Sequence, residues 1–289
     1  MQDIRVAAVS TRSEFGDSEG NLSNILEWID RAAAEKAELV CFPEAALQGY
    51  PTDEKVVRDL AEPLDGPACR AVTERCRRHA LRVGLGMIQR DGERVHNAYV
   101  FFDPDGAIGA SHKMHLAGCD LVFDPVIDWP VFDLGRCRVG AVICNDVRFV
   151  ESTRILAIRG AEIVIMPFAG GRIHAGKLAD PLDWPAEITR WVPSRAEDNG
   201  VFLVVVNHAG DVPDPRGIAD VQCAHPDGLH RWPGYSFVVA PDGKVTGESD
   251  RTHNRERMLV VDLSAAHREK TRRNEIDTRR PQTYGALVE

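Results

Sequence analysis

The sequence predicts an α/β fold in which helices cover internal β-sheets, and three observations lead to that prediction. Short apolar runs rich in valine and isoleucine alternate with longer segments whose apolar residues recur at helical spacing. Glycine and proline stand at junctions between these segments, where the chain must turn. A length of 289 residues with 44% hydrophobic content is sufficient to bury a substantial core.

The first half of the chain shows this alternation clearly. Residues 24–36 carry apolar side chains at the spacing of one helical face, and Pro43 ends the apolar run that follows them. Asp91 and Gly92 form a turn signal between two further apolar runs. The predicted elements are strands over 4–9, 39–42, 82–88, 95–102 and 107–111, and helices over 24–36 and 67–79.

The second half continues the pattern and adds one long irregular segment. Gly160 closes a predicted helix, as glycine commonly does at a helix end. Residues 210–233 are rich in proline, aspartate, glycine and histidine, which predicts a long functional loop. The tail from residue 263 onward is basic and helical in places. The predicted elements are strands over 138–143, 162–166, 201–206, 236–240 and 258–261, and helices over 151–159 and 184–199.

Charge and cysteine usage restrict the class of protein. A formal net charge of -9 and a pI near 5.6 oppose broad attraction to nucleic acid or to an anionic membrane surface. The N-terminus lacks the pattern of a secretory signal, and no apolar segment is long enough to span a bilayer. The seven cysteines are odd in number and scattered, which favours a reduced, cytoplasmic setting. We therefore expect no nucleic-acid partner and no membrane partner.

Polar residues follow directly on several predicted strands. Glu44, Lys113, Cys144 and Asn207 each come after an apolar run. Active sites of α/β folds collect at the carboxyl ends of strands, where loops converge over a rigid base. We therefore expect these side chains to share one site.

Glutamate, lysine and cysteine together make a complete acyl-transfer set. Cysteine is a strong nucleophile only as its thiolate, so it needs a base or a nearby cation, and Glu44 and Lys113 supply one of each. Cys144 is predicted to lie on a sharp turn before a helix, which places the Asn145 amide near the helix N-terminus. That amide and the Lys113 ammonium are suited to stabilising an oxyanion. Glu44 is suited to passing the thiol proton to a leaving amine and then to activating water.

Three ordered motifs resemble those of the nitrilase superfamily of carbon-nitrogen hydrolases, which share a Glu/Lys/Cys triad. Residues 41–50 (CFPEAALQGY) resemble its glutamate motif, residues 111–116 (SHKMHL) its lysine motif, and residues 140–151 (GAVICNDVRFVE) its cysteine motif. Residues 280–285 (RPQTYG) are similar to the tail motif of the amidase and carbamoylase branches. The resemblance covers almost the whole chain, and the three motifs together are highly specific.

The resemblance implies both an architecture and a reaction. It implies an α-β-β-α sandwich that pairs with a second copy through its helical faces, forming four layers. Residues 1–262 would form the hydrolase domain, and residues 263–289 a C-terminal extension that packs on the partner subunit. The implied mechanism is attack by Cys144, release of ammonia or an amine, and hydrolysis of the acyl-enzyme. It uses no cofactor and no metal.

The residues after the nucleophile indicate which branch the chain resembles. Nitrilases that act on nitriles usually carry tryptophan and glutamate after the cysteine, whereas this chain has Asn145 and Asp146. The sequence resembles both the N-carbamoyl-D-amino acid amidohydrolases and the omega-amidases, and Arg148 is common to the two patterns. The resemblance implies that Asn145 and Arg148 bind substrate, and a guanidinium fits a substrate carboxylate. Carbamoylases usually have two successive arginines, and here Val147 replaces the first.

One expected residue is missing from the motifs. The family normally has a second glutamate between the lysine and cysteine motifs, before a Phe-x-Pro-Gly segment. Here residues 123–126 (FDPV) replace that segment, and Asp120 is the nearest acidic residue, one position out of register. Asp120 is therefore the candidate replacement, either orienting Lys113 or contributing to the substrate site.

Other interpretations of the same residues stay open at this point. His112, His115 and Cys119 have a spacing that metal ligands can use, but no fourth ligand is evident. A papain-like Cys/His enzyme is a further possibility, but no histidine of this sequence lies in a recognisable papain-type motif. The departures from the family pattern also allow a catalytically silent protein of the same fold. The leading hypothesis is an amidase or carbamoylase for a small, carboxylate-bearing substrate, with omega-amidase activity as the alternative.

Overall fold

In the computed structural model, two six-stranded sheets lie face to face, and helices cover the outer face of each. This arrangement confirms the predicted α/β fold with internal sheets flanked by helices. The structure describes residues 1–51, 53–116, 120–170, 173–174, 177–178, 183–213, 229–251, 254–271 and 276–287.

The first sheet contains three adjacent parallel strands at its centre. Its members are β1 (Ile4–Ser10), β2 (Leu39–Cys41), β3 (Arg82–Asp91), β4 (Arg94–Asp103), β5 (Gly106–His112) and β16 (Arg257–Leu263). Their order across the sheet is β16-β1-β2-β3-β4-β5, with β1, β2 and β3 parallel and the remaining pairs antiparallel. The sheet therefore directs the carboxyl ends of β1, β2 and β3 towards one edge.

The second sheet repeats this plan. Its members are β6 (Phe132–Asp133), β7 (Arg138–Ala141), β8 (Ile163–Phe168), β11 (Phe202–Asn207), β14 (Phe237–Val239) and β15 (Val245–Glu248). The order is β15-β14-β11-β8-β7-β6, with β7, β8 and β11 parallel. Two small antiparallel ribbons pair β9 (Ile173–His174) with β10 (Lys177–Leu178) and β12 (Ala209–Pro213) with β13 (Leu229–Pro233).

The helices lie on the outer faces because successive side chains of a strand point to opposite faces of its sheet, and both faces are apolar. In β1, Val6 and Ala8 pack between the sheets, whereas Ala7 and Val9 pack against the helices of the first layer. Leu203 and Val205 of β11 face the helices of the opposite layer in the same way. The helices are α1 (Ser18–Ala34), α2 (Glu54–Leu60), α3 (Pro67–His79), α4 (Val150–Ile158), α5 (Asp183–Trp191), α6 (Pro193–Asn199) and α7 (Ala265–Thr271).

Two local predictions need correction, and one helix was not predicted. The predicted helix over 184–199 is two helices, because Pro193 lacks the backbone N–H that a continuous helix requires and instead begins α6. The predicted loop over 210–233 begins and ends in the strands β12 and β13, whose pairing its loop-forming composition hides. Its Cys223 and His225 lie outside the described residues. Helix α2 was not predicted, although Asp53 caps it by accepting from the Val56 amide at 3.0 Å.

Strand β16 ends at Leu263, which pairs with Ile4, and α7 follows it. The division into a hydrolase domain over 1–262 and an extension over 263–289 stays a prediction. In the part of the chain that the structure describes, no helix combines the length and apolar character needed to cross a membrane.

Candidate active site

Glu44, Lys113 and Cys144 meet at the edge where strands of the two sheets end. Glu44 follows β2, Lys113 follows β5 and Cys144 follows β7, as the sequence predicted. The turn that carries Glu44 crosses β3 at Gly86, where a Cβ would collide with the backbone carbonyl of Pro43. Only glycine allows this close approach, so β3 fixes the position of the Glu44 turn.

Cys144 occupies a strained backbone position. Its φ of 47° lies in the left-handed region, which residues with a Cβ rarely adopt. A 3₁₀ turn over Cys144–Arg148 begins at this residue, and the Asp146 amide donates to the Ile143 carbonyl at 3.0 Å. The predicted sharp turn is therefore present, and such strain is common where a side chain must be presented for chemistry.

The Glu44 carboxylate is fully buried and accepts three hydrogen bonds. Its Oε1 accepts from Lys113 Nζ and from Asn97 Nδ2, each at 2.8 Å, and its Oε2 accepts from the Ala169 amide at 2.8 Å. The imidazole of His208 contacts the Glu44 backbone carbonyl through Nε2 at 2.6 Å. Burial lowers the pKa of His208 to about 4, so at pH 7 the ring is neutral and Nε2 carries the donated proton.

Asp120 lies against Lys113, in the place where the missing second glutamate is expected to act. Its Oδ2 is 2.6 Å from Lys113 Nζ, and its Oδ1 accepts a hydrogen bond from the Tyr50 hydroxyl. Tyr50 also lies 3.4 Å from Lys113 Nζ. Since Asp120 and Lys113 are both buried, the structure supports the interpretation in which Asp120 orients Lys113.

Burial and, to a smaller extent, the neighbouring carboxylates raise the pKa of the Cys144 thiol, so it is protonated at rest. Two carboxylates, Glu44 and Asp120, face the single ammonium of Lys113, so negative charge is in excess. Burial raises the pKa of the Cys144 thiol, and the Glu44 charge raises it further against the opposing effect of Lys113. Burial also raises the pKa of Glu44, and Lys113 counteracts that rise.

Lys113 stays charged in this setting. Burial tends to lower its pKa, but the charges of Glu44 and Asp120 and the hydrogen bond to Asp120 outweigh burial and raise the pKa well above the usual range for lysine. The site therefore combines a neutral nucleophile, an adjacent carboxylate able to accept its proton, and a fixed positive charge.

Asn145 and Asp146 connect the cysteine turn to the loop after Lys113. Asp146 is fully buried, and its carboxylate accepts from the amides of Met114 at 3.2 Å and His115 at 2.7 Å. The His115 ring contacts the same carboxylate through Nδ1 at 2.7 Å, and Asn145 Nδ2 donates to the His115 carbonyl at 2.9 Å. The Asn145 side chain is thus occupied by the protein, and these contacts hold Lys113 and Cys144 in register.

Arg148 lies on the surface beside α5. Its side chain is 60% exposed, with Nη2 3.9 Å from Glu187 Oε1 and the guanidinium carbon 5.9 Å from the centre of the Trp191 ring. In this position Arg148 contacts Glu187 and Trp191 and lies apart from the Glu44 cluster. Its predicted binding of a substrate carboxylate stays a prediction.

Sequence reasoning missed part of the site. Asn97 had no assigned role, His208 was considered as a pocket or metal residue but interpreted as an ordinary loop residue, and the Ala169 amide carries no sequence signal at all. Asn97 had one signal, because an amide side chain stands inside the apolar run of β4. Asn207, which was predicted to join the site, is buried and holds the loop of Gly170 through two hydrogen bonds, at 2.6 and 3.2 Å.

The histidines considered as metal ligands have other partners. His112 Nε2 lies 2.8 Å from Gln89 Oε1, and His115 pairs with Asp146, whereas Cys119 is outside the described residues. Within the described ranges, no three or more His, Cys, Asp or Glu side chains are grouped as a metal site requires.

Comparison with known sequences gives one family for almost the entire chain. A family model described as carbon-nitrogen hydrolase matches residues 5–273. An (R)-stereoselective amidase from Pseudomonas sp. is 29% identical over 272 residues, covering 94% of this chain and 89% of that protein. An omega-amidase from Bos taurus is 29% identical over 261 residues, covering 86% and 85% respectively. A nitrilase from Pyrococcus abyssi is 27% identical over 264 residues, covering 90% of each chain.

Solved structures show the same fold. A mutant of the amidase from Nesterenkonia sp. AN1, which shows the result of Michael addition of acrylamide at its active site cysteine, matches with a TM-score of 0.78 at 24% identity. That match covers 98% of this chain and 99% of the other. A member of branch 10 of the nitrilase superfamily from Saccharomyces cerevisiae matches with a TM-score of 0.77 at 22% identity, covering 97% of both chains.

Proposed function

Because the chain belongs to the carbon-nitrogen hydrolase family of the nitrilase superfamily, we propose that it hydrolyses a small linear amide through a Cys144 acyl-enzyme and releases ammonia. The observation that carries this proposal is the buried contact of Glu44 and Lys113 beside the Cys144 thiol. An amidase from Pseudomonas sp. and an omega-amidase from Bos taurus among the relatives support an amide substrate. Asn145, in the place where nitrilases that act on nitriles usually carry tryptophan, argues against a nitrile.

The first half-reaction forms the acyl-enzyme. As the Cys144 sulfur attacks the amide carbon, its proton passes to Glu44, so no free thiolate has to accumulate in a cluster already rich in negative charge. The carbonyl oxygen becomes an oxyanion facing the Asn145 amide and Lys113. The proton on Glu44 then moves to the leaving nitrogen, the C–N bond breaks, and ammonia leaves.

Lys113 has one donor suited to the oxyanion. Two of its three protons are directed to Glu44 at 2.8 Å and Asp120 at 2.6 Å, whereas its contact with Tyr50 is longer, at 3.4 Å. A hydrogen bond of that length is weak, so a developing oxyanion competes for the third proton effectively.

The second half-reaction restores the thiol. Water gives a proton to the Glu44 carboxylate as its oxygen attacks the thioester carbon. The tetrahedral intermediate expels the Cys144 sulfur, which regains a proton from Glu44, and the carboxylic acid leaves. Glu44 thus begins and ends the cycle ionised.

Replacement of Cys144 by alanine is expected to reduce ammonia release to background, because no other thiol is placed beside Glu44 in the described structure. The measurement is ammonia release from a panel of simple aliphatic amides, omega-amides, N-carbamoyl amino acids and nitriles. Cys69→Ala is the matched control, since this buried thiol lies in the α3 layer and its loss should leave turnover intact. Turnover by Cys144→Ala would contradict the proposal.

N-carbamoyl amino acids are the second candidate substrate class. The sequence Cys144-Asn145-Asp146 followed by Arg148 favours them, and Arg148 retains an exposed guanidinium that can meet a substrate carboxylate. Hydrolysis of an N-carbamoyl group releases carbon dioxide together with ammonia. Hydrolysis of an amide releases ammonia and a carboxylic acid, without carbon dioxide. The same panel therefore separates the two classes.

Self-association through a helical face is part of the proposal. Helix α4 and the residue before it expose the apolar side chains Phe149, Val150 and Ile158, with exposed fractions of 40%, 51% and 43%. An apolar stripe of this kind is suited to packing against a second copy. Sedimentation velocity is expected to show at least a dimer, and Val150→Asp is expected to weaken it. A wild-type monomer at micromolar concentration would contradict this part.

A further inference from the structure

Asn97 links the two charged residues of the site. It lies within β4 and is 2% exposed, with Nδ2 donating to Glu44 Oε1 at 2.8 Å. Its backbone carbonyl accepts from the Lys113 amide at 2.9 Å. One strand residue therefore fixes both the Glu44 carboxylate and the start of the Lys113 loop.

The two oxygens of Glu44 have different surroundings. Oε1 accepts from Lys113 Nζ and Asn97 Nδ2, which occupy both of its lone pairs. Oε2 accepts from the Ala169 amide at 2.8 Å and retains a second lone pair. We propose that Asn97 is a positioning residue that holds the carboxylate so that Oε2 is the atom that takes the Cys144 proton. This inference rests on the proposed role of Glu44 as the base.

An amide is the appropriate side chain at this position. It donates a hydrogen bond without adding charge to a cluster in which Glu44 and Asp120 already exceed the single Lys113 ammonium. The hydrogen bond from Asn97 favours the ionised form of Glu44 and lowers its pKa, in the same direction as Lys113. Burial and the Asp120 charge act in the opposite direction.

The groups that face Glu44 come from each neighbouring element. Lys113 and Asp120 approach from the chain after β5, and the Cys144 thiol approaches from the turn after β7. In the described part of the chain, the neutral His208 ring contacts the Glu44 backbone carbonyl and not its carboxylate. Asn97 is thus an uncharged side-chain donor to the Glu44 carboxylate. A single substitution removes its hydrogen bond without altering the formal charge of the site.

Asn97→Ala is expected to move the acid limb of the pH profile upward. Loss of the donor raises the Glu44 pKa, so a higher pH is required to ionise the base, by about one to two pH units for a hydrogen bond to a charged group. We expect kcat/KM at neutral pH to fall by roughly tenfold or more, mainly through kcat, because Asn97 acts on the base and not on the substrate. Asp120→Asn should move the acid limb downward, since the Asp120 charge raises the Glu44 pKa.

The decisive readout does not require turnover. Infrared spectra isolate the Glu44 carboxyl band as the difference between each protein and its Glu44→Gln form, and titration of that band from pH 4 to 9 (about this range suffices) reports the ionisation of Glu44 directly. If the wild-type protein fails to release ammonia, the proposed function fails, but the Glu44 titration still tests Asn97. Asn97→Leu has nearly the same size, adds no charge and provides a second variant if Asn97→Ala does not fold.

The matched control is Asn199→Ala. Asn199 is also buried, with Nδ2 donating to the Arg195 carbonyl at 2.8 Å at the end of α6. Its loss should lower the unfolding temperature without moving the acid limb. The inference is supported if the limb moves upward in both Asn97 variants and downward in Asp120→Asn. It is overturned if Glu44 in folded Asn97 variants keeps its wild-type titration, because Asn97 would then support the fold alone.

Discussion

Replacing Glu44 with glutamine is expected to abolish turnover while leaving Cys144 able to capture an electrophile. Turnover should fall by about 10²- to 10⁴-fold, since glutamine can neither accept the thiol proton nor deliver one to the leaving nitrogen. The negative charge of Glu44 raises the Cys144 pKa, so its removal makes the thiol more acidic beside Lys113. A reagent that needs only a thiolate should therefore react at least as fast as it does with the wild-type protein.

Two measurements on the same protein test this separation. Ammonia release reports turnover, and iodoacetamide alkylation at neutral pH reports the nucleophile. Glu62→Gln is the matched control, because the Glu62 carboxylate also accepts from backbone amides, those of Ala68 at 2.7 Å and Cys69 at 3.3 Å, away from Cys144. Ammonia release retained by folded Glu44→Gln would show that Glu44 does not carry the proton, and loss of alkylation would show that the Glu44 charge does not raise the thiol pKa.

Replacing Lys113 with methionine is expected to affect both stability and activity. The change leaves the carboxylates of Glu44 and Asp120 buried without their common cation, which costs about 3–5 kcal/mol of unfolding free energy at neutral pH. In this variant Glu44, whose pKa burial raises, loses the opposing charge of Lys113 and has a folded-state pKa above its unfolded value. The folded protein therefore binds more protons, so the deficit should be smallest at low pH and should grow as the pH rises.

Urea unfolding between pH 5 and 8 (roughly the range of maximal stability) measures this deficit. Lys55→Met provides the control, since the Lys55 side chain is 85% exposed and its ion pair with Asp59 contributes little. Ammonia release should be lost in Lys113→Met even where the protein is folded, because the oxyanion loses its charged donor. A stability deficit that does not change with pH would contradict the ion-pair explanation.

The residues after strands could be predicted from sequence because their placement depends on local patterns. Glu44, Lys113 and Cys144 each follow an apolar run, and parallel strands bring such positions to one edge of a sheet. The motifs then distinguished them from ordinary surface charges. The structure adds that Glu44 and Lys113 are buried together, which no single motif shows. This burial shifts the pKa values of the groups in the site.

The supporting contacts depend on register between distant segments, and the sequence does not specify that register. Asn97 reaches Glu44 only because β4 pairs with β3, which itself lies beside β2. The Ala169 amide belongs to the other sheet, so its contact with Glu44 requires the two sheets to be stacked. Asp120 was identified as the nearest acid, but its contacts with Lys113 and Tyr50 could not be predicted, and its replacement of the second glutamate stays a prediction.

Arg148 illustrates the opposite difficulty. Its motif position suggested contact with a substrate carboxylate, yet the 3₁₀ turn directs it towards Glu187 and Trp191 on α5. A sequence motif gives the residue type but not the direction of a long side chain. Binding of a substrate carboxylate by Arg148 stays a prediction.

The acyl-enzyme itself provides the most direct test of the central claim. Wild-type protein mixed with an amide substrate from the panel and quenched in acid during turnover should carry the acyl group of that substrate on the peptide containing Cys144, as measured by mass spectrometry. The adduct should have the mass of the amide minus ammonia and should be absent from Cys144→Ala. Ammonia release with no adduct at Cys144 under any quench time, or with the adduct on another residue, would contradict the account.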